Sequence, residues 1–173
     1  MPDAELWDVT DEHGNLTGEV YHRGDPDWPE GRYHLIVAVC GILPDGRMLL
    51  TQRAASKIYA FSWEFPGGSA FAGETSAQAA AREFREETGL TVDLPDLELV
   101  GRFTEESALL DMYLVRFTHT PLVTPEPSEV HAAEWVAPEE LQRRLAAGEL
   151  AAPWTDRLAA LWPAITDALT PTA

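Results

Sequence analysis

Three glutamates in the middle of the chain, Glu83, Glu86 and Glu87, stand three and four residues apart. On a helix that spacing puts all three carboxylates on one face. Like charges so placed repel by roughly 0.2–0.5 kcal/mol per pair, so the arrangement makes sense where something positive sits among them. Oxygen donors alone on a rigid helix suit a hard divalent cation, Mg²⁺ or Mn²⁺, better than zinc. Such a cation can neutralise an anionic ligand and acidify a bound water. For three glutamates alone, the competing reading is a solvated acidic face.

The residues around them read as a device for positioning that face. Thr75, with Gln78 three residues on, predicts a capping box opening a helix that covers Ala77 to Thr88, and Gly89 is the expected left-handed residue that ends it. Ala77, Ala80, Ala81 and Phe84 make an apolar stripe beside the acidic one, so the helix can pack on a sheet while its carboxylates face a cleft. Gly67 and Gly68 precede the loop, where backbone without side chains can come close to a metal or phosphate. Upstream, Glu5 to Asp11 and Leu16 to Arg23 read as a hairpin around Glu12-His13-Gly14-Asn15, followed by a Pro/Gly-punctuated loop over 24–32. Tyr33 to Leu43 reads as a buried strand, with Arg47 to Gln52 as its antiparallel partner across Pro44-Asp45-Gly46. A loop over 54–62 leads into Trp63 to Phe65. Downstream come strands at Leu97 to Glu105, Leu109 to His119 and Val130 to Val136. A helix follows from Pro138 to about Ala146, then one from Trp154 to Leu169 that Pro163 is expected to kink or break. Strands interleaved with few helices imply an α/β fold, a mixed β-sheet with a helix on each face.

Gly68, Glu74, Arg82, Glu83, Phe84, Glu86, Glu87, Gly89 and Leu90 together meet every fixed position of G-x5-E-x7-R-E-U-x-E-E-x-G-U, where U is a bulky apolar residue. In this the chain resembles the Nudix hydrolases. The resemblance implies an α/β/α sandwich over about 33–170, preceded by residues 1–32 as a β-hairpin extension. It also implies hydrolysis of a nucleoside diphosphate linked to a further group X, with water attacking phosphorus. Carried over by position, Glu83, Glu86 and Glu87 are the metal ligands, with the Gly67 carbonyl as an extra one. Gly68, Glu74 and Gly89 are structural. Arg82 and Glu74 are placed to pair and to brace the loop against the helix, Arg82 orienting the carboxylates. The general base in several Nudix branches lies outside the motif. Glu129, at a loop-to-strand edge, is one candidate here, and Glu86 is the other. Arg53 and Lys57 are candidates for the substrate's phosphates. Glu126 and Glu134 read as solvated, and His34 as structural. Trp28, Tyr59, Trp63 and Phe65 are candidates to stack on a base or line a prenyl pocket, with Trp63 and Phe65 read as core.

The leader W-D-V-T-D-E-H-G-N-x-x-G-E-V-x-H-R and the Q-R-x-x-S-K stretch at Gln52 to Lys57 resemble the Nudix branch related to isopentenyl-diphosphate isomerase. That isomerase carries a catalytic cysteine in the strand leading to the glycine loop. Here the segment is Trp63-Glu64-Phe65-Pro66-Gly67-Gly68, without cysteine, and the motif is intact. The alternatives to a pyrophosphohydrolase are thus an isomerase, which the sequence disfavours, and a catalytically silent binding module.

At 173 residues, 45% apolar and 24% charged, the chain suits one soluble domain with a substantial core. Its net charge of −17, with one lysine among 12 basic residues, disfavours a nucleic-acid polymer as partner and leaves a small phosphorylated molecule. Cys40, the sole cysteine, lies in the apolar run Leu35 to Leu43 and reads as a buried thiol. That run is too short to span a bilayer, so no membrane partner is expected. Met1 to Glu5 carry no secretory pattern, so a cytoplasmic location is expected. The hairpin is a candidate packing edge for a homodimer.

Overall fold

A computed structural model describes residues 5–170; Met1 to Ala4, on which the expectation about a secretory pattern mostly rests, lie outside the described residues. The apolar runs become the two innermost strands, β3 (His34–Ile42) and β8 (Ala108–Arg116), paired in parallel from His34↔Ala108 to Ile42↔Arg116. Both are buried on both faces, as strands with continuous apolar runs are. Alternate residues feed two cores. Ala38, Cys40, Ile42, Leu110, Met112 and Leu114 point to one, Val37, Val39, Tyr113 and Val115 to the other. Each fully buried aliphatic side chain contributes roughly 1.5–3 kcal/mol, so this alternation fixes the register.

Around this pair the mixed sheet runs β5 (Trp63–Glu64), β4 (Met48–Arg53), β3, β8, β7 (Glu98–Thr104), with β6 (Gly67–Ser69) against β3 and β9 (Val130–Val136) against β4. Helix α1 (Ser76–Thr88) covers the second core through Ala79, Ala80 and Phe84. Helices α2 (Pro138–Ala146) and α3 (Trp154–Leu169) cover the first through Leu141, Trp154, Leu158, Leu161 and Ile165. The result is the expected α/β/α sandwich.

Three expectations gain detail. The β3–β4 hairpin pairs only at Ile42↔Met48; β4 then leaves to pair with β9 from Met48↔Val136 to Arg53↔Val130, and β6 takes over the edge of β3. The buried stripe of α1 includes Ala79, which the sequence reading omits, while Ala77 and Ala81 are only partly buried. Pro163 does not break α3, which runs unbroken from Trp154 to Leu169; Thr166 Oγ1 donates to the Trp162 and Pro163 carbonyls at 3.0 and 2.8 Å.

The N-terminal hairpin, β1 (Leu6–Thr10) and β2 (Leu16–His22), turns as the Asp11 carboxylate accepts from the backbone N–H of His13 and Asn15, both at 2.9 Å. β1 docks on its own chain, Thr10 bridging to Tyr33 and Trp7 stacking on His34 at 4.2 Å. β2 is left as an outer edge, with Leu16 and Val20 exposed.

Candidate active site

The helix that carries the acidic triplet starts and stops where its caps dictate. Thr75 accepts from Gln78 N–H while the Gln78 side chain accepts from Thr75 N–H, and Gly89 ends the helix at φ 73° with its N–H on the Arg85 carbonyl. Any Cβ at Gly89 would also lie 2.0 Å from Thr124 Oγ1.

The glycine pair is forced by close approach. A Cβ on Gly67 would sit 2.0 Å from the Val37 carbonyl oxygen, and one on Gly68 2.6 Å from the Glu83 carboxyl carbon. Gly67 N–H in turn donates to Glu87 at 3.2 Å. Strand β6 is thus pressed between β3 on one side and the acidic face of α1 on the other.

The three carboxylates share that face at three depths. Glu87 is buried at 7% exposure, Glu83 is half-buried, and Glu86 is exposed. Arg82 binds the shallower two, at 2.7 Å to Glu83 and 3.3 Å to Glu86, and grips Glu74 through two nitrogens at 2.7 and 2.8 Å. Its remaining reach goes to the Ser69 carbonyl, and the guanidinium lies over the Phe71 ring at 3.8 Å. Loop and helix are therefore tied through one cation. Although burial works the other way, hydrogen bonds from Arg82 and Phe71 N–H hold Glu74 below the ordinary carboxylate range.

Glu87 lies outside that clamp. Burial lifts its pKa well above the ordinary value, and the negative charges of Glu64, Glu83 and Glu129 lift it further, against only the Gly67 N–H. Burial raises Glu83 too, with Arg82 opposing.

Residues from distant segments close the site into a cavity of about 190 Å³. Besides Gly67, Gly68, Arg82 and the triplet, its wall includes Arg53, Lys57 and Glu129. Every residue singled out in the sequence as a ligand, a base or a phosphate contact therefore meets at one place. Their pairings were not legible: Lys57 forms an ion pair with Glu129, and Arg53 donates to Glu64 at 2.6 Å and to the Ile58 carbonyl. The sequence reading missed Glu64, buried beside Arg53, its pKa raised by burial. A charged residue between Trp63 and Phe65 was the available signal. It also missed Glu5 and Arg23 of the hairpin, which complete the rim.

Other candidates fall elsewhere. Phe65 packs on Trp154 at 5.1 Å, and Trp63 lies under the Arg144 guanidinium at 4.2 Å. Both are buried core residues, as expected. Trp28 belongs to an aromatic cluster with Trp7, Tyr21 and His34, and Tyr59 is exposed on the 54–62 loop. Glu134 is not merely solvated; it holds the buried Arg144 of α2. Cys40 is fully buried in the first core, where burial drives its thiol pKa upward and leaves it unreactive.

A family model described as the NUDIX domain matches residues 32–158. The chain belongs to the Nudix family. An uncharacterised Nudix hydrolase of Listeria monocytogenes is 33% identical over 148 residues, covering 84% of this chain and 87% of that one. An RNA pyrophosphohydrolase of Erythrobacter litoralis is 30% identical over 141 residues, covering 69% and 85%. The crystal structure of DR0079 from Deinococcus radiodurans superposes with a TM-score of 0.71 at 27% identity, covering 85% of this chain and 92% of that one. The Nudix chain is accordingly a pyrophosphohydrolase acting on acid anhydrides, of a family that generally uses divalent metal ions.

The site has the composition such an ion requires. Its donors are oxygens only, and Glu87 is a buried carboxylate facing like charges. Among the described residues no three acidic, histidine or cysteine side chains already converge on a point where a metal would sit. The positive group between Glu83 and Glu86 is Arg82, where the sequence reading placed a metal ion. Among the described residues, no helix is long and apolar enough to cross a membrane.

Proposed function

We propose that this Nudix hydrolase cleaves the phosphoanhydride of a nucleoside diphosphate linked to a further group X, by attack of a water made acidic in the cleft. The observation that carries the reading is Glu87, a buried carboxylate surrounded by Glu64, Glu83 and Glu129 with a single N–H for company. A carboxylate so placed is costly unless protonated or met by a cation. Glu87, Glu83, Glu86 and the Gly67 carbonyl are the groups that would hold Mg²⁺ or Mn²⁺. An ion bound there would neutralise diphosphate oxygens and lower the pKa of the attacking water.

The chain's own residues do the rest. Arg82 orients Glu83 and Glu86 while Glu74 fixes Arg82 to the loop. Glu129, on the cavity wall, accepts the proton of the attacking water, with Glu86 as the second candidate. Arg53 and Lys57 turn from Glu64 and Glu129 toward the incoming phosphates, Arg53 as a fork and Lys57 as a point charge. A small nucleotide-derived substrate in the cytoplasm fits this reading better than a polymer, because a surface with net charge −17 repels a polyanion along its length.

The test is a hydrolysis assay with Mg²⁺ or Mn²⁺ in which anion-exchange chromatography follows the release of every phosphorylated product, nucleoside monophosphates as well as phosphate and pyrophosphate. Its substrates are nucleoside triphosphates, NADH, ADP-ribose, dinucleoside polyphosphates, prenyl diphosphates and 5′-triphosphorylated RNA. Turnover of a nucleotide supports the proposal. Turnover of RNA alone overturns the small-substrate part, and no release from any substrate overturns the whole.

A further inference from the structure

The N-terminal hairpin lies outside the matched residues 32–158, yet it supplies Glu5 and Arg23 to the wall of the catalytic cavity. It is fastened there by the loop that also braces Arg82. Ala72 N–H donates to the Leu6 carbonyl at 2.8 Å and Gly73 N–H to the Asp8 carboxylate at 2.7 Å. The Trp7 stack on His34 and the Thr10–Tyr33 bridge hold the other side.

Among the described residues four cations face this cavity, and they differ in freedom. The Arg82 side chain is 14% exposed and bound to three carboxylates and the Ser69 carbonyl. Arg53 is bound to Glu64 and a loop carbonyl, and Lys57 to Glu129. The Arg23 side chain is 57% exposed and, among the described residues, has one carboxylate partner, Glu5 at 2.7 Å, itself 36% exposed. An ion pair this wet stabilises little. Its guanidinium can exchange one oxyanion for another at small cost, and a phosphate offers it two oxygens in a fork. Glu5 also faces the motif, since its charge helps raise the Glu83 pKa.

We propose that the hairpin is part of the substrate site: Arg23 leaves Glu5 to grip a phosphate of the substrate's polyphosphate chain, and Glu5 is the competitor that holds Arg23 when the site is empty. This rests on the pyrophosphohydrolase reading, but its test does not need turnover.

The probe is inorganic tripolyphosphate, titrated calorimetrically into the full chain with Mg²⁺. Arg23→Gln is expected to weaken binding about tenfold, the loss of one charge-assisted hydrogen bond. Arg23→Lys should recover part of that loss. Glu5→Gln, which frees Arg23, should tighten binding about threefold, and in the Arg23→Gln background it should give no gain. If the hairpin pair were merely structural, both single variants would weaken binding alike. If Glu5 acted only through bulk charge, its gain would survive in the double variant. Either result overturns the proposal, as does a wild-type chain that does not bind the probe. A wild type that binds with this pattern but hydrolyses nothing would leave the inference standing and remove the catalytic reading instead.

Discussion

Replacing Glu87 by glutamine keeps the shape of the side chain and its contact with Gly67 while removing the charge. The Glu87 pKa is raised in the folded chain, so the folded state binds the proton more tightly than the unfolded one. Stability from this group is therefore full below the ordinary glutamate value of 4.5 and falls as pH rises toward the folded value. In the metal-free wild type the penalty therefore grows as pH rises above that value, up to about 1.4 kcal/mol for each tenfold difference in proton affinity between the folded and unfolded chain. For a domain of this size 1 kcal/mol moves Tm by about 2–4 °C. Glu87→Gln should thus melt a few degrees higher than wild type in chelator at pH 7.5, with the gap closing toward pH 4.5. Mn²⁺ should reverse the order. At a hundredfold excess over Kd a bound ion stabilises wild type by about 2.7 kcal/mol, or about 5–11 °C, and should leave the variant nearly unmoved. Activity should fall by about 100-fold or more, since one first-rank electrostatic group is worth that much. Differential scanning calorimetry reads all four melting states, wild type and variant each with and without Mn²⁺. A variant that melts below wild type in chelator would refute the reasoning about a buried, unneutralised carboxylate.

Three further outcomes follow from the same geometry. Gly67→Ala drives a methyl to 2.0 Å from the Val37 carbonyl, backbone against backbone, and should cost about 3 kcal/mol or more in urea unfolding. Gly68→Ala meets only the end of the Glu83 side chain and should cost about 1 kcal/mol, while kcat falls at least tenfold as Glu83 is pushed aside. Arg82→Lys keeps the charge but loses the fork onto Glu74. It should lower kcat with little change in KM, measured by steady-state kinetics on whichever substrate wild type turns over.

The parts legible in the sequence were those whose pattern is local. Helix α1 announced its start, end and acidic face through Thr75, Gln78 and Gly89 and through three- and four-residue spacing. Strands β3 and β8 announced themselves as apolar runs. Strand β6 did not, because Gly67-Gly68-Ser69 carries no side-chain pattern and pairs through backbone alone. The antiparallel β3–β4 pairing across Pro44-Asp45-Gly46 was legible, but its shortness was not, because most of β4 pairs with β9, which lies about 80 residues on and is set by tertiary packing. The same limit applies to the site. Lys57 and Glu129 were each visible as candidates, but nothing local says that they pair, nor that Arg53 neutralises a buried Glu64. Glu5 and Arg23 could be placed at the cleft only once the hairpin was seen docked against residues 72 and 73.

The most direct test of the central claim, that the acidic face of α1 is a cation site, is anomalous scattering at the manganese edge from crystals of the wild-type chain soaked in Mn²⁺. The account predicts a peak bonded directly to Glu87 and to at least one of Glu83 and Glu86, beside Gly67, with Arg82 withdrawn from that carboxylate. A chain that hydrolyses a phosphoanhydride while its manganese sits elsewhere, with Glu87 untouched, would contradict it.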